Sequence, residues 1–361
     1  MKNLEGPSQH ASGRRSFLKS GVFASGALVT ASLLGGGSTA QAQSEDNDNE
    51  FTDGDADILR FLAAAELIES DLWTQYAELG GITNGALNPY QKALQNLDSD
   101  GSQYITSNTN DEVSHAAFLN AYLESKGADP VDLDAFRTLQ GSKATGAQNV
   151  GRLTNLMQLN VDTSWYIRYR STTNPDMGAT FPQAITITNH TAIPRTDADM
   201  SNATQIQVIA NTAAFHFGAI EQGGSSLYAS LSRKVTSEQV LEITLGIGGD
   251  EIAHFLEWVD FAGNGVQPPV APVSFGGLTF PNFNTKGPLF QTNLIFPVPC
   301  EFINAKLPQC AIIRPLTDKF GGARAAATFL TNMNLFAGQS KQFFTTLTQL
   351  ANAADAAKRQ D

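Results

Sequence analysis

From Asp57 onward, side chains that suit a buried face recur at steps of three and four: Leu59, Leu62, Glu66, Glu69, Trp73 and Tyr76 share one stripe. The spacing predicts a helix that ends near Gly80-Gly81, where two glycines permit a left-handed cap. A polar loop through Asn88-Pro89 and Asp98-Ser99-Asp100-Gly101 leads to a second predicted helix, about 103–126, with Ile105, Asn108, Glu112, His115, Leu119 and Tyr122 on its inner face and a stop at Gly127. A third, about 202–231, carries Ala214, Phe217, Glu221, Gly224, Tyr228 and Leu231 on one stripe. The fourth opens on Thr236-Ser237-Glu238-Gln239, which reads as a capping box, and turns Thr244, Gly248, Glu251, His254, Trp258 and Phe261 inward before stopping near Gly263-Asn264-Gly265.

The short turn between the third and fourth helices makes them an antiparallel hairpin. Residues 128–204 are too long for a bare connection, and Leu153, Leu156, Met157, Asn160, Ser164 and Ile167 suggest an extra helix within them. Such a crossover lets the second and third helices run parallel. Residues 266–321, rich in Pro, Gly and Phe, read as a wrap over the bundle. Residues 322–357 turn helical again, with Phe329, Met333, Phe336, Phe343 and Leu347 on the apolar side, to pack on the bundle or against a second subunit in a homo-oligomer. The expected fold is an all-α four-helix bundle over 55–265.

Composition, 42% hydrophobic, supplies a real core. The first 42 residues stand apart: Arg14-Arg15-Ser16-Phe17-Leu18-Lys19, an uncharged run to Gly37, then Ala40-Gln41-Ala42. That order of basic head, apolar middle and small-residue cleavage site resembles a twin-arginine export signal, with Gly13 where Ser or Thr is usual. The apolar run is short and glycine-rich for a membrane anchor. Residues 43–54 read as an acidic linker. Without the first 42 residues, which hold four basic side chains and one acid, the formal charge moves from −12 to −15. No basic patch then remains for nucleic acid or an anionic membrane. In a periplasmic or secreted location Cys300 and Cys310 are free to form a disulfide, the alternative being two buried thiols.

The chemistry lies in a repeat. Superposing the first helix on the third and the second on the fourth aligns Glu66 and Trp73 with Glu221 and Tyr228, and Glu112, His115, Leu119 and Tyr122 with Glu251, His254, Trp258 and Phe261. A lone Glu-x-x-His more often marks an exposed helical pair. Two of them, with two further inward glutamates, form the ligand set of a di-iron or di-manganese carboxylate bundle. Four inward carboxylates repel one another and are costly to desolvate unless cations lie between them. The pattern assigns Glu112 and Glu251 as bridges, Glu66 and Glu221 as terminal ligands, and His115 and His254 one to each ion. Glu69 shares the inner face as an extra ligand, a supporting carboxylate, or equally the terminal ligand itself with Glu66 in support; its repeat partner is Gly224. Trp73 and Tyr228 stand beside the ligands. His216 lies off the Glu221 stripe and His190 reads as a loop residue, so both are taken as ordinary polar positions. Gly223-Gly224-Ser225-Ser226 within a helix marks a bulge or a close helix approach.

These residues, above all Glu112-Val113-Ser114-His115-Ala116-Ala117-Phe118-Leu119 and Glu251-Ile252-Ala253-His254, resemble the ferritin-like superfamily and the ferritin-like domain family that includes desiccation-related proteins. The resemblance implies a dinuclear iron or manganese centre that reacts with dioxygen or peroxide, as an oxidase or catalase-like detoxifier. It equally accommodates a stress-associated binding or structural protein without catalysis. Trp73 stands where an aromatic hydroxyl is common, which tells against a tyrosine-dependent redox step at that position. The long insertions tell against a hollow storage cage.

Overall fold

A computed structural model describes residues 50–169, 182–290, 306–308, 310 and 322–360. The expected signal segment, residues 43–49 of the expected linker and Cys300 lie outside the described residues, so the expected Cys300–Cys310 pairing does too. Four long helices form the bundle: α1 (Asp53–Gly80), α3 (Gly101–Ser125), α5 (Ala203–Leu231) and α6 (Glu238–Asn264), with α1 packed along α3 and α5 along α6. Among the described residues no helix is long and apolar enough to cross a membrane.

Both ends of α1 differ from expectation. The helix begins four residues early because Thr52 and Asp55 form a capping box, and Phe51 packs edge-on against Tyr122. The acidic stretch therefore enters the fold at its end. At the other end Gly81 is extended, φ −72°, and not left-handed. The glycine pair serves close approach instead: a Cβ on Gly80 would lie 2.7 Å from Leu94 Cδ1. The left-handed cap occurs at Gly127, φ 74°, after α3. The loop containing Asn88-Pro89 holds a short helix, α2 (Pro89–Gln95), with Asn88 and Gln91 as a capping box and Pro at its start.

The extra helix of the crossover shrinks to one turn, α4 (Trp165–Arg168). Residues 151–161 are mainly extended: β1 (Leu139–Gln140) pairs antiparallel with β2 (Gly151–Arg152), and β3 (Leu159–Val161) with β4 (Ile187–His190). The apolar residues there anchor loops to the bundle and do not line a helix face. Asp71 of α1 binds this segment, accepting from Thr154 N at 3.0 Å, Thr154 Oγ1 at 2.6 Å and Arg137 Nη1 at 2.8 Å. His190 ends β4, half-buried, and is not a loop residue.

In the wrap, β5 (Val273–Phe275) and β6 (Leu278–Phe280) form a hairpin on α5, turning through Gly276 and Gly277 at φ 60° and 85°. The C-terminal helix is two helices, α7 (Ala323–Asn332) and α8 (Lys341–Ala356), separated where Asn334 and Gly338 take φ 63° and 97°. They pack on the bundle, α8 along α1. Asp355 of α8 caps α7 by accepting from the backbone N–H of Gly322, Ala323 and Arg324.

Asp55 links the two hairpins. Its carboxylate takes Thr52 N at 3.0 Å, Thr236 N at 2.7 Å and Ser237 N at 3.2 Å. The α6 cap is thus Ser237, whose side chain accepts from Val240 N, and the Thr236 N–H expected to pair with the Gln239 side chain goes to Asp55 of α1. Asp55→Ala strips a buried acceptor from three backbone donors and the Thr52 hydroxyl and should lower unfolding free energy by ~2–4 kcal/mol in chemical denaturation, with the helical content of the native state unchanged.

Candidate metal centre

Each motif residue reaches the bundle axis because its helix exposes that face to the other three. Glu66, Glu112, Glu221 and Glu251 are buried, as are Glu69, His115 and His254. Their ligand atoms form two groups, each within 4.8 Å: Glu66, Glu112, His115 and Glu251, and Glu112, Glu221, Glu251 and His254. Glu112 and Glu251 belong to both. Glu66 and Glu221 each belong to one, and Glu69 to neither.

Close approach of α5 to α6 depends on Gly224. A Cβ there would fall 1.8 Å from Glu251 Oε2, so the repeat position that carries Glu69 in α1 must be empty in α5 for Glu251 to reach inward. Helix α5 runs through this segment without interruption, so the glycine pair marks close approach and not a bulge.

The imidazoles are held at both nitrogens. His115 Nδ1 lies 3.3 Å from Glu112 and 3.5 Å from Glu66, and its Nε2 lies 3.2 Å from Asp250. His254 Nδ1 lies 3.1 Å from Glu112 and 3.3 Å from Glu221, and its Nε2 lies 3.3 Å from Asp111. Asp111 and Asp250 precede the two motif glutamates, and each crosses to the histidine of the other helix. Sequence reasoning gave neither a role; their recurrence at one position of both repeats was the available signal. Asn108, one turn before Glu112, was placed on the inner face but also given no role. Its Nδ2 donates to Glu112 Oε1 at 2.8 Å and Glu221 Oε1 at 3.2 Å, and its Oδ1 accepts from Trp258 Nε1 at 2.7 Å. Tyr228 donates its hydroxyl to Glu66 Oε1. Trp73 stacks on Trp258 and Phe217, one layer removed from the carboxylates.

The model of the ferritin-like domain matches residues 54–258, more than half of the chain. The chain belongs to the ferritin-like domain family. No match was found among curated proteins or among solved structures. In this ferritin-like domain the matched region holds all four bundle helices up to Trp258, hence every residue of both ligand groups.

The donor set fits cations. Glu66 Oε2, Glu69 Oε2, Glu221 Oε2 and both oxygens of Glu251 are buried without a hydrogen bond. Protons fill the cationic role otherwise: burial lifts the Glu66 pKa to about 7 against the opposing effect of His115, and lifts Glu69 and Glu251 well above the carboxylate range, with neighbouring Glu112 adding to each. Burial alone would lower His115, but its bonds to Glu112 and Glu66 and their charge raise it to about 10; His254 rises likewise, driven by Glu221, Asp111 and Glu112. The buried carboxylate–histidine cluster is thus compatible with metal binding.

These shifts share one sign. Glu66 and His115 bind protons more tightly folded than unfolded, so their stabilisation is full below the unfolded values of 4.5 and 6.5 and is lost as pH rises through about 7 and about 10. Metal-free protein should therefore melt at progressively lower temperature from near neutral pH towards pH 10 in a calorimetric series, while protein supplied with manganese should hold its melting temperature over the same range.

Proposed function

We propose that this ferritin-like protein holds two iron or manganese ions and reacts with dioxygen or peroxide, as an oxidase or a catalase-like detoxifier. The observation that carries this reading is the sharing of Glu112 and Glu251 by two adjacent ligand groups. Glu66 and His115 would complete one half, Glu221 and His254 the other. Oxygen and imidazole donors suit either metal. Bound there, such a pair supplies Lewis acidity and electron exchange with oxygen-based oxidants.

The chain's own residues supply the rest. Asp250 and Asp111 each hold one imidazole by its Nε2, which fixes ring orientation and strengthens the other nitrogen as a donor. Tyr228 holds Glu66 from α5. Without cations, burial and the charges of Glu112, Glu66 and Glu221 hold the Glu69 carboxyl well above the ordinary carboxylate range, and it stands beside the cluster as a further carboxyl. Glu69 also lies on a narrow crevice of about 20 Å³, whose other walls include Phe61, Ile220, Gly223, Phe329 and Leu347. Its size and apolar walls favour a molecule no larger than water, dioxygen or peroxide.

The Arg14–Lys19 motif and the apolar run after it support export by the twin-arginine route to the periplasm or beyond. Elemental analysis of protein purified from its own host should find about two iron or manganese ions per chain, lost in Glu112→Ala and reduced in Glu66→Ala. Native protein that carries neither metal, and whose melting temperature a chelator leaves unchanged, would contradict the proposal.

A further inference from the structure

The carboxylate cluster connects to a chain of oxidisable rings on the His254 side, whereas on the His115 side a single phenol, Tyr228, bonds to Glu66. Asn108 bridges Glu112 Oε1 to Trp258 Nε1 through contacts of 2.8 and 2.7 Å. Trp73 lies parallel to Trp258, with centroids 5.3 Å apart and planes at 23°, and Tyr76 lies 5.7 Å from Trp73. At the far end Tyr76 Oη sits 2.8 Å from His216 Nδ1. All four side chains from Trp258 to His216 are fully buried.

The repeat shows how one-sided this chain is. Aligning Glu66 with Glu221 and Glu112 with Glu251 pairs Tyr76 with Leu231, His216 with Phe61, Asn108 with Ile247 and Trp258 with Leu119. Core packing is satisfied by Leu, Ile and Phe in one half. The other half places a phenol, an imidazole, an amide and an indole at the equivalent positions, each hydrogen-bonded to the next component or stacked on it.

The proton between Tyr76 and His216 has a definite home. Burial holds the imidazolium far down, to a pKa of about 3, so the ring is neutral. If Nδ1 carried the hydrogen, Tyr76 would lose its acceptor and its own O–H would be orphaned along with Nε2. With the hydrogen on Nε2, the phenol donates to Nδ1 and only the Nε2–H is left over, so this tautomer leaves fewer buried groups unpaired.

We propose that Trp258, Trp73 and Tyr76 form an internal electron-donor chain to the metal centre, with His216 Nδ1 as the acceptor of the phenolic proton. The proposal rests on the reading of the cluster as a site that reacts with peroxide or dioxygen. Peroxide at the cluster would supply the oxidant, and the Trp258 indole gives it one electron. Trp73 replaces that electron, and Tyr76 replaces the one lost by Trp73. As Tyr76 gives up its electron, its O–H proton moves along the hydrogen bond to Nδ1. The products are a neutral tyrosyl radical, a His216 imidazolium and an oxidant reduced by one electron. Trp73 is thus a conductor, and the redox-active hydroxyl of α1 stands three residues later, at Tyr76. The chain would draw oxidising equivalents away from the ligand shell when no substrate is bound.

Two measurements test the proposal. In metal-free protein, laser photo-ionisation of the indoles makes tryptophan radicals without any metal, and transient absorption follows their fate. A tyrosyl radical should grow in as the tryptophan radicals decay. The part of it lost in Tyr76→Phe should also be lost in Trp73→Phe, and His216→Leu should slow its appearance, with circular dichroism unchanged in all three. A tyrosyl yield that Tyr76→Phe leaves unaltered would overturn the proposal, whatever the cluster binds. In metal-loaded protein mixed with peroxide and frozen, electron paramagnetic resonance should show a tyrosyl signal that becomes tryptophanyl in Tyr76→Phe. Transfer in the metal-free protein with no radical in the loaded one would uphold the chain and count against the peroxide reading instead.

Discussion

The structure is organised around negative charge that has been taken out of water. Glu66, Glu69, Glu112, Glu221 and Glu251 converge on one axis, and their mutual repulsion is relieved only by positive charge or protons placed between them. Every helix of the bundle contributes to that centre, so its neutralisation and the packing of the four helices are one problem. Protons on His115, His254 and the raised carboxyls solve it in the absence of cations. The same buried carboxylate–histidine cluster is compatible with metal cations in that role.

The surroundings follow from that centre. Asp111 and Asp250 sit half-exposed where each meets a histidine from the opposite helix, so the second pair of acids steadies the first ligands across the α3–α6 seam. Gly224 leaves room for Glu251, and α7 and α8 close the crevice beside Glu69. The two halves are alike in ligands and unlike in what lies behind them: Tyr228 bonds to Glu66 on one side, while Asn108 joins Glu112 and Glu221 to Trp258 on the other.

Most of the bundle was legible because its helices are long and their inner faces keep a strict period; Glu66, Glu112, His115, Glu221, Glu251 and His254 could be placed from spacing alone. What escaped was set by contacts between elements. The crossover residues Leu153, Leu156 and Met157 mimic a helical period while anchoring extended chain, and spacing cannot tell these apart. The α6 cap went to Ser237 because Asp55, nearly two hundred residues away in sequence, took the Thr236 N–H. The single C-terminal helix broke between Asn334 and Gly338, residue types that tolerate a left-handed turn, a signal masked by the apolar period on either side. His216 looked ordinary because its partner Tyr76 lies on another helix.

The central claim is that Glu112 and Glu251 are shared by two ions. Anomalous X-ray diffraction from crystals of the manganese-loaded protein tests it most directly. The dinuclear reading predicts two anomalous peaks inside the bundle, one beside Glu66 and His115 and the other beside Glu221 and His254, with Glu112 and Glu251 between them. No peak within the cluster, or a single peak at the outer acids Asp111 and Asp250, would contradict it.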